Sequence, residues 1–322
     1  MNAPGNVLEA TGLTKRFGRR TAVDALSFDV AEGEIVGFLG ANGAGKSTSI
    51  AMLSGSLTPD AGTVRVGGVD LAAHPAAAKR QLGVVPQDIA LYPTLTGRQN
   101  LRFFAGAQGL SRRERAHAVR WALDAVGLAD RGRDSVATYS GGMRRRLNIA
   151  AGVLHRPRLL FLDEPTVGVD PQSRHQIFET VRRMRADHGM AVVYTSHYMP
   201  EVEQLCDRVV ILDGGRILAA GTCAELVAPL GGGILVWPLD PGELAALPEG
   251  VTTVAVALRN AGDVTVEGAT IRVRVEGMRR TLTEVLRVAS ELNLCVGGLR
   301  VLHPDVETLF LDLTGRTLRD GS

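Results

Sequence analysis

The chain has 322 residues, of which 45% are hydrophobic and only 4% aromatic, so its cores must be largely aliphatic. Its 36 basic residues nearly balance its 34 acidic ones, which argues against a dedicated nucleic-acid-binding protein, since such proteins usually carry a basic excess. The three cysteines follow no disulfide or metal-ligand spacing, as is typical of a reducing cytosol. The sequence has no recognisable signal peptide and no apolar run near the roughly 20 residues that cross a bilayer, so we expect any membrane span to belong to another chain.

The first half of the chain predicts strands followed by a helical stretch. Residues 7–38 alternate apolar and polar positions in short bursts, which is typical of strands, and the last burst predicts a buried strand. A glycine-rich turn and a helix at about 46–55 follow, and 63–70 predicts another strand and turn. From about 96 to 152 the pattern is helical, with repeated Ala and Leu and arginine-rich polar faces.

Strands and helices alternate again in the second half. Such alternation indicates a mostly parallel α/β sheet. The strand-like runs lie at 159–162, 191–195 and 208–212, and the helices between them at about 172–188 and 199–206.

The composition changes near residue 231, where three glycines follow one another. We therefore divide the chain into a domain of residues 6–230 and a small α+β domain of residues 231–322, for which we expect an accessory or regulatory role. The second domain has strand-like runs at 233–239, 252–258, 270–276 and 294–302, and an amphipathic helix at about 278–292.

A phosphate-binding loop is predicted at residues 40–48, which read Gly-Ala-Asn-Gly-Ala-Gly-Lys-Ser-Thr. Its glycines let consecutive backbone N–H groups turn toward an anion, and the helix behind it adds its positive dipole end. Lys46 can reach the β- and γ-phosphates, and the Ser47 hydroxyl can ligate Mg²⁺. A plain glycine-rich turn is the alternative, but the buried strand before the loop and the helix after it favour phosphate binding.

Two carboxylates follow the apolar run 159–162. Because ligands of open parallel sheets lie at the carboxyl ends of strands, Asp163 and Glu164 should face the phosphate loop. Asp163 would then share Mg²⁺ with Ser47, and Glu164 would polarise or orient the attacking water. The alternative is that the pair only caps the strand before a turn at Pro165.

Taken together, the motifs resemble those of the ATP-binding subunit of ABC (ATP-binding cassette) transporters over roughly residues 6–225. The order of the motifs makes the resemblance specific. It rests on an aromatic residue at Lys15-Arg-Phe17-Gly, the Walker A loop at 40–48, the Q-loop at Val84-Val-Pro-Gln87-Asp, the signature at Ser140-Gly-Gly, the Walker B strand at Leu159–Glu164, the D-loop at Val167-Gly-Val-Asp170 and the H-loop at Thr195-Ser-His197.

The resemblance implies a role for each matched residue. Phe17 would stack on adenine, Gln87 would contact Mg²⁺ and water, His197 would hold the γ-phosphate, and Asp170 would contact the opposite subunit. Each could instead be an ordinary strand, turn or structural residue. The implied catalytic residues are Glu164, His197 and Gln87; the metal ligands are Ser47, Gln87 and Asp163; and the ATP contacts are Phe17, Gly40, Asn42, Gly43, Ala44, Gly45, Lys46, Ser47, Thr48, Ser140, Gly141, Gly142 and Asp170.

The signature stretch, Tyr139 to Met143, implies a second copy of the chain. In the family, this stretch binds the γ-phosphate of ATP held by the other subunit, so we expect a nucleotide-sandwich homodimer with ATP and Mg²⁺. Two residues depart from the usual pattern, because Tyr139 and Met143 stand where Leu and Gln are usual. Met lacks the polar groups of Gln, so we expect Ser140, Gly141 and Gly142 to keep the phosphate contacts without it.

The resemblance also implies a fold, a location and a transport partner. The fold is an α/β P-loop cassette with a RecA-like core, an antiparallel β subdomain and a helical signature subdomain at about 88–155. A separate multi-span permease would hold the chain at the cytoplasmic face of the membrane. The Met-Arg-Arg-Arg run at 143–146 and the tail at 314–319 resemble a daunorubicin-exporter-like branch, which favours export over import.

Three other functions are weighed against this one. A soluble ABC-type ATPase acting on nucleic acid or ribosomes usually joins two cassettes or inserts long coiled coils, and the sequence shows neither. The arginine runs at 144–146 and 182–183 could bind a phosphate backbone, but the near-neutral charge favours solvated helix faces and no nucleic-acid partner. A P-loop GTPase or kinase would not account for Ser140-Gly-Gly together with His197.

Overall fold

The computed structural model describes residues 5–275 and 277–314. These residues divide into two compact units, one ending at Gly221 and one beginning at Thr222. The change of composition from which we predicted a domain boundary lies later in the chain, at the three glycines that begin at 231. The tail residues 315–319, which suggested an exporter branch, lie outside the described residues.

The first unit begins with an antiparallel sheet in the order β2-β1-β4-β5. Long β1 and β2 pair along most of their length and alternate buried with more exposed side chains, as expected for a sheet that covers a core on one face. The strands are β1 (Asn6–Phe17), β2 (Arg20–Ala31), β4 (Ala61–Val66) and β5 (Val69–Asp70).

The predicted α/β sheet is confirmed as a second sheet in the order β10-β9-β3-β8-β7-β6. Its pairs from β9 to β6 are parallel, and only the edge strand β10 runs antiparallel. All five residues of β3 are buried, which is typical of a central parallel strand covered on both faces. The strands are β3 (Ile35–Leu39), β6 (Leu82–Val85), β7 (Leu159–Leu162), β8 (Ala191–Ser196), β9 (Arg208–Asp213) and β10 (Arg216–Gly221).

Two aliphatic cores cover this parallel sheet. One joins the sheet to the antiparallel strands and the first helix, and the other joins it to the helices of the predicted helical subdomain. Thr96 and Ser111 cap two of these helices with a reciprocal Gln or Glu, which fixes where each helix begins. The helices are α1 (Lys46–Leu53), α2 (Pro75–Lys79), α3 (Gly97–Ala107), α4 (Arg112–Ala125), α5 (Gly141–Gly152), α6 (Pro171–His188) and α7 (Met199–Leu205).

The second unit contains an antiparallel sheet in the order β12-β13-β11-β14, with its own core around Trp237. None of the helices in the described parts of either unit is long and apolar enough to span a membrane. The elements are α8 (Cys223–Val227), β11 (Ile234–Pro238), α9 (Pro241–Ala245), α10 (Val251–Ala257), β12 (Val264–Glu267), β13 (Thr270–Arg274), α11 (Met278–Glu291), β14 (Arg300–Leu302) and α12 (Val306–Thr314).

Two strand predictions in this unit need correction. The run 252–258 is β-branched, yet it forms α10, because Val254 and Leu258 lie one helical turn apart and both are buried in the core. Burial of these two side chains on one face of a helix outweighs the strand propensity of valine and threonine. The strand predicted at 294–302 is limited to Arg300–Leu302, which pairs with β11.

Candidate active site

The loop between β3 and α1 forms a cradle that only glycine can shape. Gly43 and Gly45 have φ angles of 81° and 106°, in the left-handed region that favours glycine. A Cβ on Gly45 would lie 2.7 Å from the Ala22 carbonyl oxygen. No side chain caps the start of α1, so its first N–H groups are available to an anion.

Lys46 is the buried cation of this loop. Its ammonium donates to the Gly40 carbonyl oxygen at 2.7 Å and lies 3.6 Å from Glu164 Oε1. Burial lowers the pKa of Lys46, although the neighbouring Glu164 and Asp163 charges oppose that effect. The side chain thus stands between the loop and both carboxylates, where a phosphate would complete its coordination.

The two carboxylates are fixed by a threonine from the neighbouring strand. The Thr195 hydroxyl lies 2.8 Å from Asp163 Oδ1, to which it can donate, and accepts the Glu164 backbone N–H at 2.8 Å. Burial raises the pKa of Asp163, and its carboxylate also interacts with the Ser47 hydroxyl. Asp163 and Ser47 therefore stand side by side, as a shared Mg²⁺ ligand pair requires.

Glu164 has a backbone conformation that few non-glycine residues adopt. Its φ is 44°, which costs about 1–2 kcal/mol for a residue with a Cβ. The side chain is nearly buried, and its Oε2 lies 3.4 Å from Nδ1 of the half-exposed His197. The strained turn therefore holds a carboxylate between the Lys46 ammonium and the His197 imidazole.

Lys46 and Glu164 line a cleft of about 500 Å³, whereas Asp163 does not and His197 lines a second cavity that shares Glu164. Phe17, 52% exposed, lies at the cleft, as an aromatic platform for a base would. Of the predicted ATP-site residues, those that line it are Phe17, Asn42, Gly43, Gly45, Lys46, Ser47, Thr48, Gln87 and Glu164.

Several predicted residues do not line this cleft. Gly40 and Ala44 pack against one another, where a Cβ on Gly40 would lie 2.9 Å from that of Ala44. Asp170 caps α6, where its carboxylate accepts the Ser173 N–H at 2.9 Å. The remaining predicted ATP contacts outside it are Ser140, Gly141 and Gly142.

Within the signature stretch, Ser140 and Gly141 are exposed at the start of α5. The Ser140 hydroxyl accepts the Met143 N–H at 3.2 Å, which is an ordinary helix cap. A Cβ on Gly142 would collide with the Ser173 side chain, so the fold itself requires that glycine. A Cβ on Gly141 would meet no atom of the described residues within 4 Å, so none of them requires the first glycine.

The structure accounts for both departures within the signature stretch. Tyr139 is buried, and its hydroxyl donates to the Arg131 carbonyl oxygen at 2.7 Å. A Cβ on Gly97 would lie 2.6 Å from that hydroxyl, so glycine makes room for the larger side chain. The Met143 side chain packs against the apolar core of the helical layer, so hydrophobic packing takes the place of the amide usual at this position.

Sequence reasoning missed a buried network behind the site. Glu201 is 2% exposed, and its Oε2 accepts hydrogen bonds from Thr166 and Tyr194 at 2.7 Å and from Ser196 at 3.0 Å. Its other oxygen lies 3.1 Å from Arg174 Nε. The network ties the segment after Glu164 to the segment around His197. No local motif marks it, because its members come from separate elements.

Arg20 also went unpredicted. It lines the cleft beside Phe17, and its guanidinium donates to the Gly43 carbonyl oxygen at 3.3 Å. Its position three residues after Phe17 was the available signal.

Comparison with known proteins gives consistent matches along the chain. A model of the ABC transporter family matches residues 23–167. The linearmycin resistance ATP-binding protein LnrL of Bacillus subtilis (strain 168) is 43% identical over 316 residues, which span 98% of this chain and 100% of that protein. The daunorubicin/doxorubicin resistance ATP-binding protein DrrA of Streptomyces peucetius is 39% identical over 324 residues, 99% and 96% of the two chains. A solved ATP-binding subunit of an ABC transporter is 32% identical, with a TM-score of 0.62 over 69% of this chain and 92% of that one.

Proposed function

The chain belongs to the ATP-binding subunits of ABC transporters and is an ATP-hydrolysing cassette, and we propose that it drives a separate membrane permease that exports an amphipathic drug or antibiotic. The observation that supports the proposal is the position of Glu164 between the Lys46 ammonium and the His197 imidazole, at 3.6 and 3.4 Å. These are the groups that positioning and hydrolysis of a γ-phosphate require.

We assign the chemistry to this chain's own residues. Phe17 would stack on the base, and the loop N–H groups together with Lys46 would hold the phosphates. Glu164 would accept a hydrogen bond from the attacking water, while His197 would fix both the water and the γ-phosphate. Since Glu164 is held by a strained turn, it would be oriented before ATP binds.

A magnesium site is part of this proposal. Ser47 and Asp163 already interact, and Gln87 lines the same cleft. No group of three or more His, Cys, Asp or Glu residues elsewhere in residues 5–275 and 277–314 is arranged to hold a metal. Mg²⁺ bound to ATP would neutralise charge on the β- and γ-phosphates, so hydroxyl, carboxylate and amide ligands would suffice from the protein.

Hydrolysis would require a second copy of the chain. Ser140 and Gly141 lie outside the cleft. No described residue of this subunit requires a glycine at 141, because a Cβ there would meet none of their atoms within 4 Å. We propose that they close the partner's nucleotide in a two-fold dimer, in which each subunit completes the other's site. The positive end of α5 would then face a γ-phosphate.

The permease contact is proposed on an aromatic surface that follows Gln87. Tyr92 and Phe103 are half-exposed, with ring centroids 5.0 Å apart, and Phe104 packs on both. Exposed aromatic side chains grouped in this way are typical of binding surfaces. Through this surface the chain would be held at the cytoplasmic face of the membrane, and a bound permease could act on the Gln87 segment.

Export is proposed because of the relatives. Both LnrL and DrrA are named as resistance proteins, and the similarity spans nearly the whole of each chain. The alternative function, nucleic-acid binding, has less support than the sequence suggested. One of its two arginine runs, Arg144 to Arg146, donates to backbone carbonyls of the chain itself. For the domain predicted at 231–322, we propose an accessory role in assembly.

The test is Glu164→Gln, which keeps the side-chain size but removes the basic carboxylate. We expect ATP hydrolysis to fall by roughly 10²–10⁴-fold, because general-base catalysis is lost. Size-exclusion chromatography with Mg-ATP should show a stable dimer, since the γ-phosphate is no longer removed. Glu179→Gln, an exposed change on α6, is the matched control and should retain activity. A Glu164→Gln protein that hydrolyses ATP normally, or stays monomeric with ATP, would contradict the proposal.

A further inference from the structure

The arginine run of α5 is not a solvated helix face. Arg144 donates to the Tyr139 carbonyl oxygen at 3.1 Å, and Arg146 donates to the Val126 carbonyl oxygen at 2.8 Å. Both of these bonds stay within the helical subdomain. Arg145 differs from its neighbours because its guanidinium reaches out of that subdomain, toward the segment that follows β6.

Arg145 holds the backbone of the Gln87 segment. The side chain is 5% exposed, and its Nη1 donates to the Gln87 carbonyl oxygen at 2.5 Å and to that of Pro86 at 3.4 Å. Burial lowers the pKa of Arg145, and the nearby Asp88 charge opposes this shift. A buried cation is costly unless it is hydrogen-bonded, and Nε of this guanidinium has no partner among the described residues, so the bonds from Nη1 must hold guanidinium and carbonyls in their relative positions.

Asn148, nearly one helical turn further along α5, holds the same segment. Its side-chain nitrogen lies 3.5 Å from the Pro86 carbonyl oxygen, and its oxygen accepts the Ala90 N–H at 3.3 Å. The side chain is buried, so few solvent contacts can substitute for these bonds. The segment from Pro86 to Ala90 is therefore attached to α5 at both of its ends.

This attachment joins two parts of the molecule that serve different nucleotides in the proposed dimer. Gln87 lines the cleft for the chain's own ATP, while Ser140 begins the helix that would close the partner's ATP. We infer that Arg145 is a positioning residue that couples the two nucleotide sites of the dimer, by tying Gln87 to the start of α5. The inference rests on the proposed dimer and adds a residue that touches neither nucleotide.

The coupling has a simple mechanical basis. A helix whose buried face packs in the core moves as a rigid body, so a displacement of Gln87 on ATP binding shifts Ser140 as well. Linkage makes the effect reciprocal, so a γ-phosphate bound at Ser140 must favour the same position of Gln87. If both nucleotides favour the same position of the Gln87 segment, ATP bound at one site raises the affinity of the other.

The experiment measures steady-state ATPase activity against Mg-ATP concentration for the full chain, Arg145→Gln, Arg145→Lys and the control Arg146→Gln. We expect a sigmoidal curve for the unmodified protein and for the control. Arg145→Gln should give a hyperbolic curve, with half-saturation at a roughly tenfold higher ATP concentration. Arg145→Lys keeps the charge without the guanidinium fork and should be intermediate. ADP binding to monomers should be the same in all four proteins.

The outcomes separate the inference from the function on which it rests. A folded Arg145→Gln protein with an unchanged sigmoidal curve overturns the inference, as does an equal loss in Arg146→Gln or a hyperbolic curve for the unmodified protein. If Arg145→Gln does not fold, the curve of Arg145→Lys decides, and a curve matching the unmodified protein overturns the inference. An unmodified protein that neither hydrolyses ATP nor dimerises with it contradicts the proposed function instead.

Discussion

Two helices of the first unit begin at glycine-containing turns, but their surroundings differ. At the start of α1, Gly45 is held in a left-handed conformation, and Lys46 and Glu164 stand within salt-bridge distance of one another. At the start of α5, Ser140 is exposed and caps its own helix, and Gly141 has open space around it. The first turn has a buried ammonium and carboxylates of its own chain beside it, whereas beside the second Arg144 donates to the Tyr139 carbonyl oxygen and no carboxylate pairs with it in the described residues.

The difference shows how one motif type can serve two roles. A helix start offers N–H groups to any anion, so the neighbouring charges decide whether it forms a complete site. The α1 turn has an ammonium and two carboxylates from two segments of the same chain. The α5 turn would need those groups from elsewhere, which is what the proposed dimer provides. Changes at the two turns should therefore affect different steps.

Lys46→Met should have the largest effect, because it alters the turn that is complete within one chain. Loss of a buried charged donor should weaken ATP binding to the monomer by roughly 10–100-fold, and hydrolysis should fall with it. Isothermal titration with Mg-ATP at concentrations below dimerisation measures the binding. Lys79→Met, a change on α2, serves as the control. Unchanged monomer binding would show that the α1 turn is not the primary phosphate site.

Ser140→Asp should have a smaller effect, and only on the assembled protein. Asp caps a helix as well as Ser does, so thermal stability and monomer nucleotide binding should be retained. The added negative charge would repel the partner's γ-phosphate, and we expect ATPase activity to fall roughly tenfold, with loss of the ATP-dependent dimer. The Met143 side chain packs against the core. If Met143→Ala lowered ATPase activity and dimer formation as much as Ser140→Asp, the turn would affect activity only through folding.

We expect the smallest effects from Gly141→Ala and Gly142→Ala. Comparing them distinguishes a glycine needed for phosphate binding from a glycine needed for folding. The Cβ of Ala at 141 would meet no atom of residues 5–275 and 277–314 within 4 Å, so this change should stabilise the monomer by up to about 1 kcal/mol while lowering ATPase activity several-fold. Ala at 142 collides with Ser173 and should destabilise the monomer by about 1–3 kcal/mol. Thermal unfolding and ATPase assays measure the two effects. Full activity in Gly141→Ala would remove the reason to place a partner's phosphate there.

Much of the fold could be predicted because its signals are local. The buried apolar run at 35–39 and the repeated Ala and Leu at 96–152 predicted the correct kind of element. The error at α10 arose where a β-branched sequence packs as a helix, since two buried side chains four residues apart decided its conformation. The sequence also could not show that Gly142 is required by Ser173, because that contact joins two helices.

For the site, the sequence by itself determined the residues whose chemistry depends on close spacing: the phosphate loop with Lys46 and the pair Asp163 and Glu164. Their spacing is set by one turn or one strand end, so adjacent residue types suffice to define it. Only the tertiary structure decided which groups hold them in place. Thr195 lies 32 positions from Asp163, and Arg145 lies 58 positions from Gln87. Such pairs form because packed elements bring their surfaces together, and no local sequence pattern specifies which buried polar group will meet which carbonyl or carboxylate.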